Sequence, residues 1–107
     1  MSRKSSLELD VTHSDGATVI ATVGQLDIAT SEQLEQAART ALERGQGVVL
    51  DLSELSLCDS TGLGALVRIY RLAQSTGQQV RLRRPRPHVA DLLAMTGIDK
   101  VVPVETT

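Results

Sequence analysis

Between Val48 and Ala73 the hydrophobic rhythm of the sequence changes once, and that change constrains the fold more than anything else in the chain. Val48-Val49-Leu50-Asp51-Leu52 is a nearly continuous apolar run, the pattern of a central strand buried on both faces. Cys58-Asp59-Ser60-Thr61-Gly62-Leu63-Gly64 follows, and Leu63, Leu66, Val67, Tyr70 and Ala73 then recur at helical spacing up to a stop at Gly77. The chain therefore passes from strand through a turn into a helix. A helix start carries free backbone N–H groups and the positive end of the dipole, so it favours a hydroxyl cap and accommodates a phosphate. One carboxylate and two adjacent hydroxyls at this turn make it the leading candidate for a functional segment.

The remaining segments extend the pattern. Leu7, Leu9 and Val11 alternate with Glu8, Asp10 and Thr12, the period of a half-buried strand. His13-Ser14-Asp15-Gly16 is turn chemistry, and the β-branched stretch Ala17–Val23, ended by Gly24, completes a hairpin. Asp27-Ile28-Ala29-Thr30 leads into a helix over Ser31–Arg44, with Thr30 or Ser31 as cap and Leu34, Ala37, Ala38, Ala41 and Leu42 as its apolar stripe. Val80 and Leu82 mark a strand. Pro87 opens a further helix that Gly97 closes, and Val101-Val102 adds a short last strand. Strands joined by helices imply right-handed parallel crossovers. The expected architecture is α/β, a mixed sheet of about four to five strands with an N-terminal hairpin and about three to four helices packed against it. Residues 1–6 read as a flexible N-terminal tail and residues 7–107 as a single domain.

Composition removes several functions. One Tyr, with no Phe and no Trp, leaves no aromatic platform for stacking bases or sugars. A net charge of -2 argues against binding polyanions by bulk electrostatics. The one basic cluster, Arg81, Arg83, Arg84 and Arg86, reads as a solvated face, with an RNA or acidic-protein patch as the alternative. The single Cys58 excludes an internal disulfide and reads as a small buried apolar residue. Cys58 and the distant His13 and His88 do not make a metal site, so neither a metal nor a cofactor is expected. No stretch approaches the roughly 20 apolar residues of a membrane span, and the reading is a cytoplasmic protein, monomeric for want of a large apolar surface run. No P-loop Lys follows Gly62, which disfavours nucleotide hydrolysis, and no catalytic machinery is evident.

With this order of elements in place, the chain resembles the STAS domain family, named for sulfate transporters and anti-sigma-factor antagonists. Three stretches carry the likeness. Gly24-Gln25-Leu26-Asp27 looks like the family's Gly-Glu-Leu-Asp turn, with Gln25 replacing the frequent Glu. Val48–Leu52 followed by Asp59-Ser60-Thr61-Gly62-Leu63-Gly64 looks like its phosphorylation segment. His88-Val89-Ala90-Asp91-Leu92-Leu93-Ala94-Met95-Thr96-Gly97-Ile98 looks like its last helix.

The resemblance implies a stand-alone antagonist, not an enzyme, whose phosphoacceptor is Ser60, with Thr61 as the alternative. The expected partners are an anti-sigma factor with serine kinase activity and a resetting serine phosphatase; direct nucleic-acid contact is not expected. The unphosphorylated form binds the kinase and frees a sigma factor. The implied partner-binding set is Asp27, Thr30, Asp59, Ser60, Thr61, Gly62 and Leu63. A structural STAS subunit of a lipid-transport or stress-signalling complex is the alternative function. Several of these residues also have plain structural readings. Ser60 suits a helix cap, Asp59 suits an acceptor of turn N–H groups, and Gly62 and Gly64 suit close packing on the sheet or close approach of a partner backbone.

Overall fold

The computed structural model describes residues 6–105. Its elements are β1 (Leu7–Ser14), β2 (Ala17–Leu26), α1 (Ser31–Glu43), β3 (Gly47–Cys58), α2 (Ser60–Thr76), β4 (Val80–Arg83), α3 (Pro87–Thr96), a 3-10 turn (Ile98–Lys100) and β5 (Val104–Glu105). The five strands form one mixed sheet in the order β1-β2-β3-β4-β5, with β1 antiparallel to β2 and the others parallel. This is the α/β architecture expected from the order of the elements.

The hairpin between β1 and β2 closes through Asp15 and Gly16, whose φ angles of 48° and 79° match the right-handed twist of the strands they join. Each β–α–β connection then steps one strand in the same direction, so right-handed crossovers bring all three helices to one face. Under them, Ile20, Leu50 and Leu82 lie in register across β2, β3 and β4, and all three are fully buried. Leu34 and Leu42 of α1, Leu66 and Ile69 of α2 and Leu93 of α3 fill the space above them in one continuous core. Truncating a fully enclosed leucine such as Leu50 to Ala costs about 2–5 kcal/mol.

Several boundaries differ from expectation. The strand foreseen as Val48–Leu52 runs on to Cys58, because the chain keeps pairing with β2 through register shifts after Ala21 and after Gly24. That strand is not helix-covered on both faces. Val48, Leu50 and Leu52 lie under the helices, whereas Val49 is half-buried and Asp51 is covered from the far side by Arg84. Gly24 does not end β2. It lies within the strand at φ 120°, where a Cβ would come within 2.5 Å of the Ser6 carbonyl oxygen. That same carbonyl accepts the Gln25 N–H at 2.9 Å, so Ser6 is tied to the sheet; the rest of the expected tail lies outside the described residues. Val101-Val102 is not the last strand. Val102 closes a tight turn by donating to the Ile98 carbonyl at 2.8 Å, and pairing resumes at Val104.

Candidate functional site

The two sequence motifs that matter converge because β2 and β3 are parallel and end together. Leu26 lies opposite Cys58, so the loop after β2 and the turn after β3 emerge side by side at the carboxyl edge of the sheet. In parallel sheets this edge is where loops form binding sites. The Asp59 N–H donates to the Leu26 carbonyl at 3.2 Å and fastens one motif to the other.

Asp59, not Ser60, caps α2. It adopts extended backbone geometry, and its Oδ1 accepts the Gly62 N–H at 2.9 Å. Ser60 is therefore the first residue inside the helix. Its side chain is exposed and has no hydrogen-bond partner among the described residues. The carboxylate does the capping and leaves the hydroxyl uncommitted. Thr61 follows in the first turn, half-buried.

Gly62 explains how close the two segments come. A Cβ there would meet the Leu26 carbonyl oxygen at 2.5 Å, the Leu26 side chain at 2.9 Å and the Cys58 sulfur at 3.0 Å. Only hydrogen fits. Gly64 is different: a Cβ there meets no backbone, only the Arg68 guanidinium at 3.1 Å, which pairs with Glu35 at 2.8 and 3.0 Å. The close-packing reading belongs to Gly62 alone.

The loop after β2 is held by its own polar groups. The Asp27 carboxylate accepts the Ala29 N–H at 2.9 Å; the Thr30 hydroxyl accepts the Asp27 N–H at 3.0 Å and donates to the Gln25 carbonyl at 2.8 Å. Thr30 stands at the cap position of α1 but makes no side-chain cap bond, because its hydroxyl is spent on the loop. Asp27, Thr30, Gly62 and Leu63 are all buried, so they shape the surface from beneath, while Ser60 is exposed and Asp59 and Thr61 are partly so.

Sequence reading missed the apolar component of this edge. Ile28 is 79% exposed on the pinned loop, and Leu57, opposite Gln25, is 45% exposed. The available signal was that Ile28 falls outside the apolar stripe of α1, so no core position awaited it.

Cys58 is buried beneath the turn, and burial, helped by the neighbouring Asp59 charge, pushes its thiol up to about 11. It is a packing residue with little nucleophilic character. The arginines are engaged within the chain: Arg81 and Arg83 with Glu105 at 3.2 and 3.4 Å, Arg84 with Asp51 at 2.7 Å, and Arg86 with the Ser53 carbonyl at 3.0 Å. His88 and the Ser56 carbonyl are 2.7 Å apart. Among the described residues no group of three His, Cys, Asp or Glu could hold a metal, and no helix is long and apolar enough to cross a membrane.

The family model described as "Mlab, STAS domain" matches residues 9–103. The chain belongs to the STAS family. Among its relatives, an anti-sigma F factor antagonist of Paenibacillus polymyxa is 31% identical over 101 residues, covering 92% of this chain and 86% of the relative. The crystal structure of an anti-sigma factor antagonist from Mycobacterium paratuberculosis superposes with a TM-score of 0.81 at 32% identity, covering 95% of this STAS chain and 87% of the other. An anti-sigma-factor antagonist (STAS) domain protein from Planctomyces limnophilus shares the fold at a TM-score of 0.78 and 23% identity, over 92% of this chain and 90% of that one.

Proposed function

We propose that this STAS protein is an anti-sigma factor antagonist that works by partner switching, with Ser60 as the phosphoacceptor. In the unphosphorylated state it binds an anti-sigma factor with serine kinase activity in the cytoplasm, and the sigma factor is released. Phosphorylation of Ser60 ends that binding, and a serine phosphatase restores it. The protein is substrate and ligand, not catalyst. The kind of partner is suggested by the relatives, which are named as antagonists of anti-sigma factors.

The observation that carries the site assignment is the division of labour at the start of α2. Asp59 holds the cap and Ser60 presents an exposed, uncommitted hydroxyl on a fixed helix end. In the transfer, Ser60 Oγ forms a bond to the γ-phosphorus of ATP held by the kinase. The bond to the ADP oxygen breaks, and the hydroxyl proton passes to a base. The product carries about -1.5 to -2 additional charge and three strong acceptor oxygens.

The Ser60 and Thr61 N–H groups lie in the first helical turn, where no intrahelical carbonyl reaches them, and the helix dipole favours an anion there. The phosphate is thus tolerated by the domain itself. Its effect falls on the partner, which loses both the fit to a bare hydroxyl and the electrostatic match to this edge. Asp59 beside the phosphate adds to the repulsion of any acidic partner surface.

In vitro phosphorylation with [γ-32P]ATP and the anti-sigma kinase from the same cells tests the acceptor. Label is expected on the wild type and on Thr61→Val, and none on Ser60→Ala. Phosphate mapped by tandem mass spectrometry to Thr61 alone would overturn the assignment. In the alternative reading, a structural STAS subunit of a lipid-transport or stress-signalling complex, Ser60→Asp would leave complex formation unaltered.

A further inference from the structure

Among the described residues no helix lies on the other face of the sheet, where only the Arg84 side chain reaches over Asp51, and the charges of this face are sorted by strand. Pairing register places Asp10, Ala21, Asp51 and Arg83 in one row across β1 to β4, and Thr12, Val19, Val49 and Arg81 in the next. The β1 end of this face is acidic through Glu8 and Asp10, both exposed. The middle is apolar and half-exposed, through Ala17, Val19, Ala21 and Val49. The β4 end is basic: Arg81 and Arg83 share the single Glu105 carboxylate, which leaves one positive charge over. A shallow hollow of about 630 Å³ runs over this middle, lined in part by Thr12, Val19, Val49, Arg81 and Arg83.

An acidic edge, an apolar centre and a basic edge in that order are self-complementary under one kind of two-fold axis. We propose that this face binds a second copy of the chain, about an axis that lies in the interface parallel to the strands and passes between β2 and β3. That operation lays β1 of one copy over β4 of the other and β2 over β3 while keeping each row at its own height. Asp10 then faces Arg83 of the second copy, and Val19 faces its Val49. An in-plane axis perpendicular to the strands would set Asp10 against Asp10 and is disfavoured by like charge. Asp51 brings no bare charge into the centre, since its carboxylate already accepts from Arg84 at 2.7 Å and from the Ser53 N–H at 3.0 Å.

The face is small. Three strand spacings, by eight residues at β1 but only four at β4, give a footprint no larger than roughly 14 × 27 Å, which places the interface in the weak, reversible class. The geometry has a consequence for the switch. Because the axis runs along the strands, the carboxyl ends of β2 and β3 point the same way in both copies. The two Ser60 turns therefore emerge at one end of the dimer, able to engage a two-site partner together.

Sedimentation equilibrium of the full chain from 10 μM to 1 mM, at low and high salt, tests this. The wild type is expected to dimerise reversibly with a dissociation constant of about 10–500 μM, weakening as salt rises. Asp10→Arg and Arg83→Asp are each expected to weaken dimerisation about tenfold or more, and the Asp10→Arg/Arg83→Asp double variant to recover it. Val19→Asp, at the centre, is expected to abolish it; circular dichroism verifies that each variant is folded. A wild type that stays monomeric to 1 mM, a dimer indifferent to the single charge reversals, or a double variant that recovers nothing would each overturn the proposal.

Discussion

At the scale of single residues, the turn after β3 separates roles that share a sequence motif. Asp59 is the cap, Gly62 is the space, and Ser60 is the exposed hydroxyl, the proposed phosphoacceptor. Asp59→Ala removes the oxygen that accepts the Gly62 N–H and is expected to cost about 1 kcal/mol in urea unfolding. Gly62→Ala forces a methyl against a backbone carbonyl at 2.5 Å and is expected to cost about 1–3 kcal/mol. Gly64→Ala meets only the Arg68 guanidinium, so any strain on the exposed Arg68–Glu35 pair is offset by gained helix propensity, and the change is expected to stay within about 0.5 kcal/mol of zero. A clear loss at Gly62 beside a small change at Gly64 would confirm the packing reading; equal destabilisation would refute it. Cys58 offers a second check. Its thiol is buried and raised to about 11, so labelling by a thiol reagent at pH 8 is expected to proceed only as fast as the protein opens. Prompt labelling of the native protein would contradict its placement.

At the scale of elements, the sheet and helices were legible in the sequence because their periodicities are strong, and the misread points are those where another contact outranked the local signal. Gly24 reads locally as a strand end, but close approach by the Ser6 carbonyl keeps it inside β2. Thr30 reads as a cap, but its hydroxyl holds the loop between Gln25 and Asp27. Arg84 at φ 50° carries no glycine-like signal at all; its backbone is held by the Glu105 carbonyl at 2.6 Å and its side chain by Asp51. The Asp59-Ser60 turn was legible because strand, acidic residue, hydroxyl and glycine follow in fixed order. The apolar Ile28 was harder to read: it falls outside the stripe of α1, but nothing local marks an isoleucine left out of the core as part of a binding edge.

The Asp51–Arg84 link also sets a pH dependence. Burial raises the Asp51 carboxyl, but bonds from Ser53 and the Arg84 guanidinium outweigh burial and hold it below the ordinary carboxylate value. A carboxyl lowered on folding contributes stability that is present above the unfolded value, about 3.9, and lost as pH falls through the folded one. Wild-type stability is therefore expected to drop more between pH 5 and pH 2.5 than that of Asp51→Asn, measured as the shift in urea midpoint. Parallel pH profiles would show that Asp51 contributes nothing to the acid limb.

At the scale of the whole molecule, the proposed switch requires that phosphate change what the protein binds and leave its fold alone. Ser60→Asp places a negative charge at the first position of α2, where the helix dipole favours it, so folding stability is expected to rise by about 0.3–1 kcal/mol or stay level. A large loss of stability would mean that charge acts on the domain and not at the interface. The most direct measurement is affinity capture from a lysate of the source organism with Ser60→Ala and Ser60→Asp baits, the retained proteins identified by mass spectrometry. A serine-kinase anti-sigma factor held by the Ala form and released by the Asp form is the expected result. The same partner held equally by both forms would contradict a switch at Ser60.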